Sequence, residues 1–175
     1  MMTSRFFLIP AAALTVAVPV RAAVYLTVEQ ARAALFPGES FTQDFHTLTQ
    51  AQADAIESAA DVNVRDKEIK AWRTSSGGWF IVDEVVGKHD FIPIALAIDA
   101  KGAVKGVEIL EYREAYGDQV RNADWRAQFT GKTRAAKLQL TKDIENISGA
   151  TLSCRHVTDG VKRLLATHAL VLAGG

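Results

Sequence analysis

Four runs with strand-like composition occupy the centre of the chain. They are Glu68–Thr74, Trp79–Val86, Phe91–Ile98 and 104–112, and turn-forming residues such as glycine, serine and aspartate separate them. Strands joined by short turns favour an antiparallel sheet over a doubly wound parallel one. Pro93 has no backbone N–H to donate, so we expect its strand to lie at a sheet edge or to be bulged there.

Helical patterns lie on both sides of these strands. Residues 27–35 and 49–60 each begin with threonine followed three positions later by glutamine, which is the pattern of a capping box. A longer helix is predicted over about 154–171, with one apolar stripe. The stripe consists of Val157, Val161, Leu164, Leu165, His168 and Leu172. The polar positions off the stripe are Arg155, Lys162 and Arg163.

The patterns together predict one α+β domain. It has an antiparallel sheet, flanking helices, and a C-terminal helix that follows a short loop. Residues 23–74 are assigned to an N-terminal helical region. Residues 75–175 are assigned to the main domain, which forms one compact unit with that region.

The first 22 residues are predicted to be a secretory signal peptide. Arg5 gives a positive start, residues 6–20 are apolar, and 20–22 offer a cleavage site. Pro10 and Pro19 interrupt the apolar run, and it is shorter than the ~20 residues that span a bilayer. An uncleaved N-terminal membrane anchor is the alternative. Either interpretation predicts a periplasmic or otherwise extracytoplasmic domain.

Composition and motif searches exclude several classes of function. Loss of 22 residues leaves 153, with 18 basic and 20 acidic side chains, because Arg5 and Arg21 leave with the signal. No basic block or aromatic-basic stripe occurs, so nucleic acid is not an expected partner. The single Cys154 and the scattered histidines give no iron–sulfur, haem or zinc pattern. No hydrolase, P-loop or dinucleotide motif occurs either, so we assign no catalytic residue and no metal.

A short loop before the C-terminal helix offers a chemical site. It contains Ser148, Gly149, Ala150 and Thr151, with Ser153 two positions later. The first N–H groups of a helix lack internal partners and the helix dipole favours negative charge there, so a phosphate at Thr151 would lie in a favourable field. The competing interpretation is an ordinary capped turn, in which Thr151 or Ser153 accepts a hydrogen bond from a helix N–H.

These residues resemble the flavinylation signature of the FMN-binding domain family. That family includes covalent-flavin subunits of the sodium-translocating NADH:quinone reductase and of the Rnf complex, in which a dedicated transferase attaches FMN to the motif threonine through a phosphoester bond. Residues 112–117, Trp125 and 128–132 resemble the family's middle block. Residues 114–117 read Glu-Ala-Tyr-Gly, where the large complex subunits usually have Glu-Thr-Pro-Gly. The resemblance covers about 79–165, within the 75–175 domain; residues 23–73 match nothing.

The resemblance implies covalent FMN and a set of residues around it. Ser148, Asp143 and Ser153 would position the phosphate or be recognised by the flavin transferase, and small residues at 149 and 150 would leave the loop accessible. Glu114 and Gly117 would lie against the ring or the ribityl chain. The implied cofactor-binding residues are Thr151, Ser148, Gly149, Ala150, Ser153, Asp143, Glu114, Gly117 and Tyr112. The aromatic candidates for ring contact are Tyr112, Tyr116, Trp79 and Trp125, with core packing favoured for the two tryptophans.

The leading functional hypothesis is an extracytoplasmic FMN-binding electron-transfer protein. It would exchange electrons with membrane or periplasmic redox partners and would not be a self-sufficient enzyme. The alternatives are a stand-alone flavin-dependent reductase of a small acceptor and a non-redox binding domain with an unmodified motif. Because a transferase must reach the Thr151 oxygen, burial of that oxygen would exclude covalent attachment.

Overall fold

The described part of the chain is residues 23–174 of a computed structural model. The signal peptide and the possible anchor therefore fall outside the described residues. The strands are β1 (Ala23–Val24), β2 (Phe41–Gln43), β3 (His46–Thr47), β4 (Glu68–Thr74), β5 (Trp79–Val86), β6 (Phe91–Ile98), β7 (Val104–Ile109) and β8 (Glu111–Tyr112). The helices are α1 (Val28–Leu35), α2 (Gln50–Ala60), α3 (Ala123–Ala127) and α4 (Thr151–Thr167). A 3₁₀ turn, Asp118–Arg121, precedes α3, and a π-helical turn, His168–Leu172, follows α4.

The main sheet is antiparallel throughout, which confirms the predicted α+β class. Its strand order is β2-β4-β5-β6-β7, and β3 adds a sixth strand by pairing with β4. Strands β4, β5 and β6 have the predicted bounds. The fourth predicted strand, 104–112, divides at Leu110, and its last two residues leave the main sheet to pair with β1.

Pro93 lies on an interior strand, so its predicted edge or bulged position is wrong. It pairs with Glu84 on β5, and its other side faces Leu110. The Leu110 N–H donates to the Pro93 carbonyl at 2.9 Å, but proline has no N–H to donate to the Leu110 carbonyl. The Leu110 carbonyl instead accepts from the N–H groups of Tyr25 at 2.9 Å and Leu26 at 3.3 Å. The N-terminal segment therefore replaces the missing donor.

Both predicted capping boxes are present at the starts of α1 and α2. Thr27 accepts from the Gln30 N–H and the Gln30 side chain accepts from the Thr27 N–H, and Thr49 and Gln52 make the same pair of bonds. Describing residues 23–74 as helical is nevertheless incomplete, because the predicted strand β4 and the three unpredicted strands β1, β2 and β3 also lie there. Each of these three has only two or three residues, too few to show an alternating pattern, and each forms by pairing with a neighbour.

Both faces of the sheet carry buried side chains. Helices α2 and α4 cover one face, in a core that includes Ile56, Ile81, Leu96, Val161 and Leu164. Helix α1 and the chain before it cover part of the other face, where Ala31, Phe36, Phe80 and Ala97 pack. Within residues 23–174, no helix has both the length and the hydropathy needed to cross a membrane.

Helix α4 differs from its prediction in two respects. It begins at Thr151 and not near Cys154, because the motif loop runs directly into the first helical turn. All six stripe residues are buried as predicted. Arg163, predicted to lie off the stripe, is also buried: it donates to the Asp83 carboxylate at 2.5 Å and to the Asn63 carbonyl at 3.3 Å. This ion pair with β5 allows the guanidinium to lie inside the helix–sheet interface.

The contact between α4 and the sheet requires glycine at position 160. A Cβ there would overlap with Val85 Cγ1 and would lie 3.3 Å from Ile94 Cδ1. We expect Gly160→Ala to lower the free energy of unfolding by about 1–3 kcal/mol, as is usual for overpacking. Urea unfolding measures the change, with Arg155→Ala on the exposed side of the same helix as the control. Equal midpoints for the two variants would contradict this packing.

Candidate functional site

Thr151 is the first residue of α4, and its side chain is exposed. The Asn146 side-chain amide donates to Thr151 Oγ1 at 2.9 Å. The residue before it, Ala150, is the N-cap, and no side chain caps this helix. The structure therefore contradicts the capped-turn interpretation, since neither Thr151 nor Ser153 accepts a helix N–H. It also meets the requirement that the Thr151 oxygen be accessible.

The loop before Thr151 is open on the side of Ser148 and Gly149. Both residues are exposed, and a Cβ on Gly149 would meet no atom within 4 Å among the described residues. Gly149 has a φ of 85°, a backbone conformation that favours glycine. The need for glycine at this position therefore comes from the backbone conformation and not from crowding by neighbouring atoms. Ala150 is buried, so its small size serves packing and not access to the loop.

Ser153 connects the two motif blocks by facing inward. The Tyr112 hydroxyl donates to the Tyr116 carbonyl at 2.6 Å, and Ser153 Oγ lies 2.8 Å from the same hydroxyl. Because that hydroxyl has only one proton, Ser153 Oγ is the donor in the second bond. Gly117 has φ of 98°, and a Cβ on it would lie 2.5 Å from both oxygens. Burial raises the pKa of Tyr112, so its hydroxyl remains protonated at neutral pH.

Glu114 contacts a different part of the fold from the motif loop. Its carboxylate accepts the N–H groups of His89 at 2.5 Å and Asp90 at 3.0 Å, in the turn between β5 and β6. Burial acts to raise the pKa of Glu114, but these N–H donors outweigh burial and hold the pKa below its usual value. The carboxylate therefore fixes the loop after β8 to this turn.

Asp143 organises the loop before the motif. Its carboxylate accepts the N–H of Gln139 at 2.8 Å and of Leu138 at 3.1 Å, and it pairs with Lys132 at 3.2 Å. Partial burial acts to raise the pKa of Asp143, but these bonds lower it overall. The structure shows no hydrogen bond from Asp143 to Thr151.

Only one of the four candidate aromatic side chains is well exposed. Tyr116 is 84% exposed, and its carbonyl takes part in the Tyr112–Ser153 hydrogen-bond network. Trp79, Trp125 and Tyr112 are buried in the core, which confirms core packing for the two tryptophans. Leu152, which follows Thr151 and is 41% exposed, was not among the residues predicted from the sequence. The sequence feature that could have indicated Leu152 is an apolar residue in the first turn of the helix that lies outside the buried stripe.

A groove of about 430 Å³ begins at Asn146, the residue that contacts Thr151. Its lining residues are the amides Gln119, Asn122, Gln128 and Asn146, the carboxylates Asp124 and Glu145, and Trp125 and Ile147. The volume lies in the usual range for small-molecule sites, which is ~300–1,000 Å³. Asn146 was not predicted from the sequence, because its contact with Thr151 depends on how the intervening loop folds.

The described residues contain no group of three or more His, Cys, Asp or Glu side chains arranged to hold a metal ion. Cys154, three residues after Thr151, is fully buried, and burial raises the pKa of its thiol. The site instead combines an exposed hydroxyl, a helix start with free N–H groups, and an amide-lined groove. These are the features of a binding site for a phosphorylated organic cofactor.

Comparison with known proteins identifies that cofactor. Residues 87–166 match the model of the FMN-binding domain family. The predicted resemblance is thereby confirmed. The chain is also 33% identical over 123 residues to a Shewanella loihica protein that is named as a subunit of an ion-translocating oxidoreductase complex. That match covers 61% of this chain and 58% of the relative, so the chain spans less than two thirds of the relative's length.

The Tyr112–Ser153 hydrogen bond can be tested with a double-mutant cycle. We expect Tyr112→Phe and Ser153→Ala each to lower the free energy of unfolding by about 1–2 kcal/mol, because each leaves a buried polar partner unsatisfied. The double variant should lose less free energy of unfolding than the two single variants lose when their losses are added. Strictly additive losses in urea unfolding would show that the two hydroxyls do not interact.

Acid should weaken the two loops through Glu114 and Asp143. A carboxyl whose pKa is lower in the folded state stabilises the fold above its unfolded pKa, and that contribution is lost as pH falls through the folded pKa. We therefore expect stability to fall as pH drops below the ordinary values of 4.5 for Glu114 and 3.8 for Asp143. Urea unfolding between neutral and acidic pH measures this.

The carboxamide variants provide the comparison for this pH dependence. Glu114→Gln and Asp143→Asn should each be less stable than the parent at neutral pH and should show a flatter decline in acid. Asp54→Asn, on the exposed side of α2, is the control. The assignment of the pH dependence fails if both loop variants keep the full decline of the parent protein.

Proposed function

We propose that this chain is an extracytoplasmic electron-transfer protein that carries FMN on Thr151 through a phosphoester bond. The supporting observation is the exposed Thr151 hydroxyl on the first turn of a 17-residue helix that has no capping side chain. The unpaired N–H groups and the positive end of the helix dipole stabilise an anion at this position. An FMN phosphate esterified to Thr151 would benefit from both.

Formation of this ester requires an external catalyst. A threonine hydroxyl is a weak nucleophile without a neighbouring base. The side chain that contacts Thr151 Oγ1 is the Asn146 amide, which donates a hydrogen bond and cannot remove the proton. A flavin transferase would therefore supply the base. The Thr151 oxygen would bond to phosphorus, the bond from phosphorus to the leaving group of the flavin donor would break, and the base would take the hydroxyl proton.

The surroundings of Thr151 suit the rest of the cofactor. The amide-lined groove begins at Asn146 and offers donors and acceptors for the polar edge of the isoalloxazine ring. The exposed ring of Tyr116 provides an aromatic surface, and the Tyr116 carbonyl is linked to Ser153 of the helix start through the Tyr112 hydroxyl. The bound flavin supplies the redox chemistry, and the protein holds it and adjusts its potential. FMN binding by residues 87–166 follows from the family match.

The redox partners and the location are inferred from two further observations. The similar Shewanella protein is named as a subunit of an ion-translocating oxidoreductase complex, and we infer that this chain also exchanges electrons with membrane or periplasmic redox proteins. The composition of residues 1–22 supports export of the domain. A covalent bond suits that location, because a flavin that dissociated outside the cytoplasm would be lost.

Replacement of Thr151 tests the attachment. After coexpression with a flavin transferase and export, we expect the parent protein to gain the mass of FMN less one water, and Thr151→Ala to gain nothing. Thr151→Ser keeps a hydroxyl and should accept flavin to some extent, while Thr130→Ala, at another exposed threonine, should be modified fully. Intact-protein mass spectrometry and flavin absorbance measure the result. Equal flavin content in Thr151→Ala and the parent protein would exclude the proposal.

A further inference from the structure

A second groove, of about 580 Å³, lies at the opposite end of α4 from Thr151. We call it the C-terminal groove. Its lining includes Lys101, Thr133, Arg134, Leu165, His168 and Ala169. These residues come from the β6–β7 turn, the segment after α3, the last turn of α4, and the π-helical turn that follows it. Such π-helical turns are rare and occur often at functional sites.

His168 is a buried polar side chain without a partner. It is 8% exposed, its ring packs edge-on against Trp79, and neither ring nitrogen forms a hydrogen bond within residues 23–174. Neither ring nitrogen is among the buried side-chain atoms that lack a partner, so the imidazole remains accessible from the groove and can form a hydrogen bond with a ligand there. Position 102 is glycine, and a Cβ there would lie 3.6 Å from Cε1 and 3.9 Å from Nδ1. The glycine thus leaves this edge of the ring uncovered.

The rim of the C-terminal groove carries two positive side chains that form no ion pair within the described residues. Lys101 and Arg134 are exposed, and neither forms an ion pair within residues 23–174. Asp99 accepts the backbone N–H of Lys101 and keeps its negative charge, which opposes the lowering of the His168 pKa by burial, and Asp143 pairs with Lys132. No Asp or Glu lines the groove. Arginine and lysine in this arrangement suit a phosphate or carboxylate.

The apolar part of the lining defines the rest of the ligand. Leu165, Ala169 and Ala173 provide a hydrocarbon surface beside the charged rim. A ligand that uses both surfaces has a negative group and an apolar body. The groove is separated from Thr151 by the 17 residues of α4, which correspond to a length of roughly 25 Å. Binding here is therefore independent of whether Thr151 carries FMN.

We propose that the C-terminal groove binds an amphipathic organic anion, with the phosphate or carboxylate between Lys101 and Arg134, the apolar body on Leu165 and Ala169, and a hydrogen bond to His168. The anion belongs either to a soluble organic phosphate or carboxylate or to an acidic lipid headgroup. The chemistry is the same in both cases, and the experiment separates the two sources.

The test is a titration of the exported protein with phenyl phosphate, followed by two-dimensional NMR of the backbone amides. We expect saturable shifts at Gly102, Ala169 and Ala173 and none at Gly149. Inorganic phosphate, which has no apolar body, and benzyl alcohol, which has no charge, should each bind more weakly. The double substitution of Lys101→Gln with Arg134→Gln should weaken binding by about tenfold or more, the loss expected for one charge-assisted contact. Lys142→Gln, at an exposed lysine outside the groove, is the matched control.

A second arm uses vesicles of phosphatidylglycerol in phosphatidylcholine. Vesicle binding that the double substitution abolishes assigns the anion to a lipid headgroup, whereas phenyl phosphate binding without vesicle binding assigns it to a soluble molecule.

The proposal is overturned if no saturable shift occurs, or if the double variant and Lys142→Gln bind equally. It is also overturned if the double substitution only lowers the melting temperature, since the two cations would then serve the negative end of α4. Thr151→Ala should bind as the parent does, which separates this result from the flavin assignment.

Discussion

The close packing of α4 on the centre of the sheet is the constraint on which the other features depend. At Gly160 the helix backbone approaches β5 and β6 so closely that no side chain fits between them, and the Arg163–Asp83 ion pair fixes the rotation of the helix a turn later. Because the helix is rigid and its middle is fixed against the sheet, the positions of both of its ends are fixed as well. One end presents Thr151 to solvent, and the other places His168 between the core and the C-terminal groove.

The exposed end of α4 is held by neighbours that avoid Thr151 itself. Ser153 donates to Tyr112, which donates to the Tyr116 carbonyl, so the helix start is fixed to the loop after β8 from the inside. The helix has no capping side chain, although a cap typically contributes ~1 kcal/mol. Leaving these N–H groups free keeps them available to an anion. Local stability is thus lower at the position where the proposed function requires a phosphate.

The motif residues have two different functions in the structure. Thr151, Ser148 and Gly149 face solvent, as residues that meet an outside enzyme or a cofactor must. Glu114 and Asp143 instead bind backbone N–H groups through their carboxylate oxygens, Glu114 in the turn between β5 and β6 and Asp143 in its own loop. A sequence resemblance groups both kinds together, because shaping the loop and contacting the cofactor are equally necessary for one site. Only hydrogen-bond partners distinguish them.

The sequence by itself determined the features that depend on neighbouring residues. These include the two capping boxes, the bounds of β4, β5 and β6, the buried stripe of α4, and the hydroxyl at position 151. Tertiary structure decided the features that depend on distant residues. Pro93 lies in an interior strand because the N–H groups of Tyr25 and Leu26 donate to the Leu110 carbonyl, to which proline has no N–H to donate. Arg163 is buried because it forms an ion pair with Asp83. Asn146 contacts Thr151, and Lys101 comes to line the same groove as His168, only after the loops have folded. Hydrophobic period and capping act over a few residues, whereas pairing and burial of polar groups require partners that chain folding brings together.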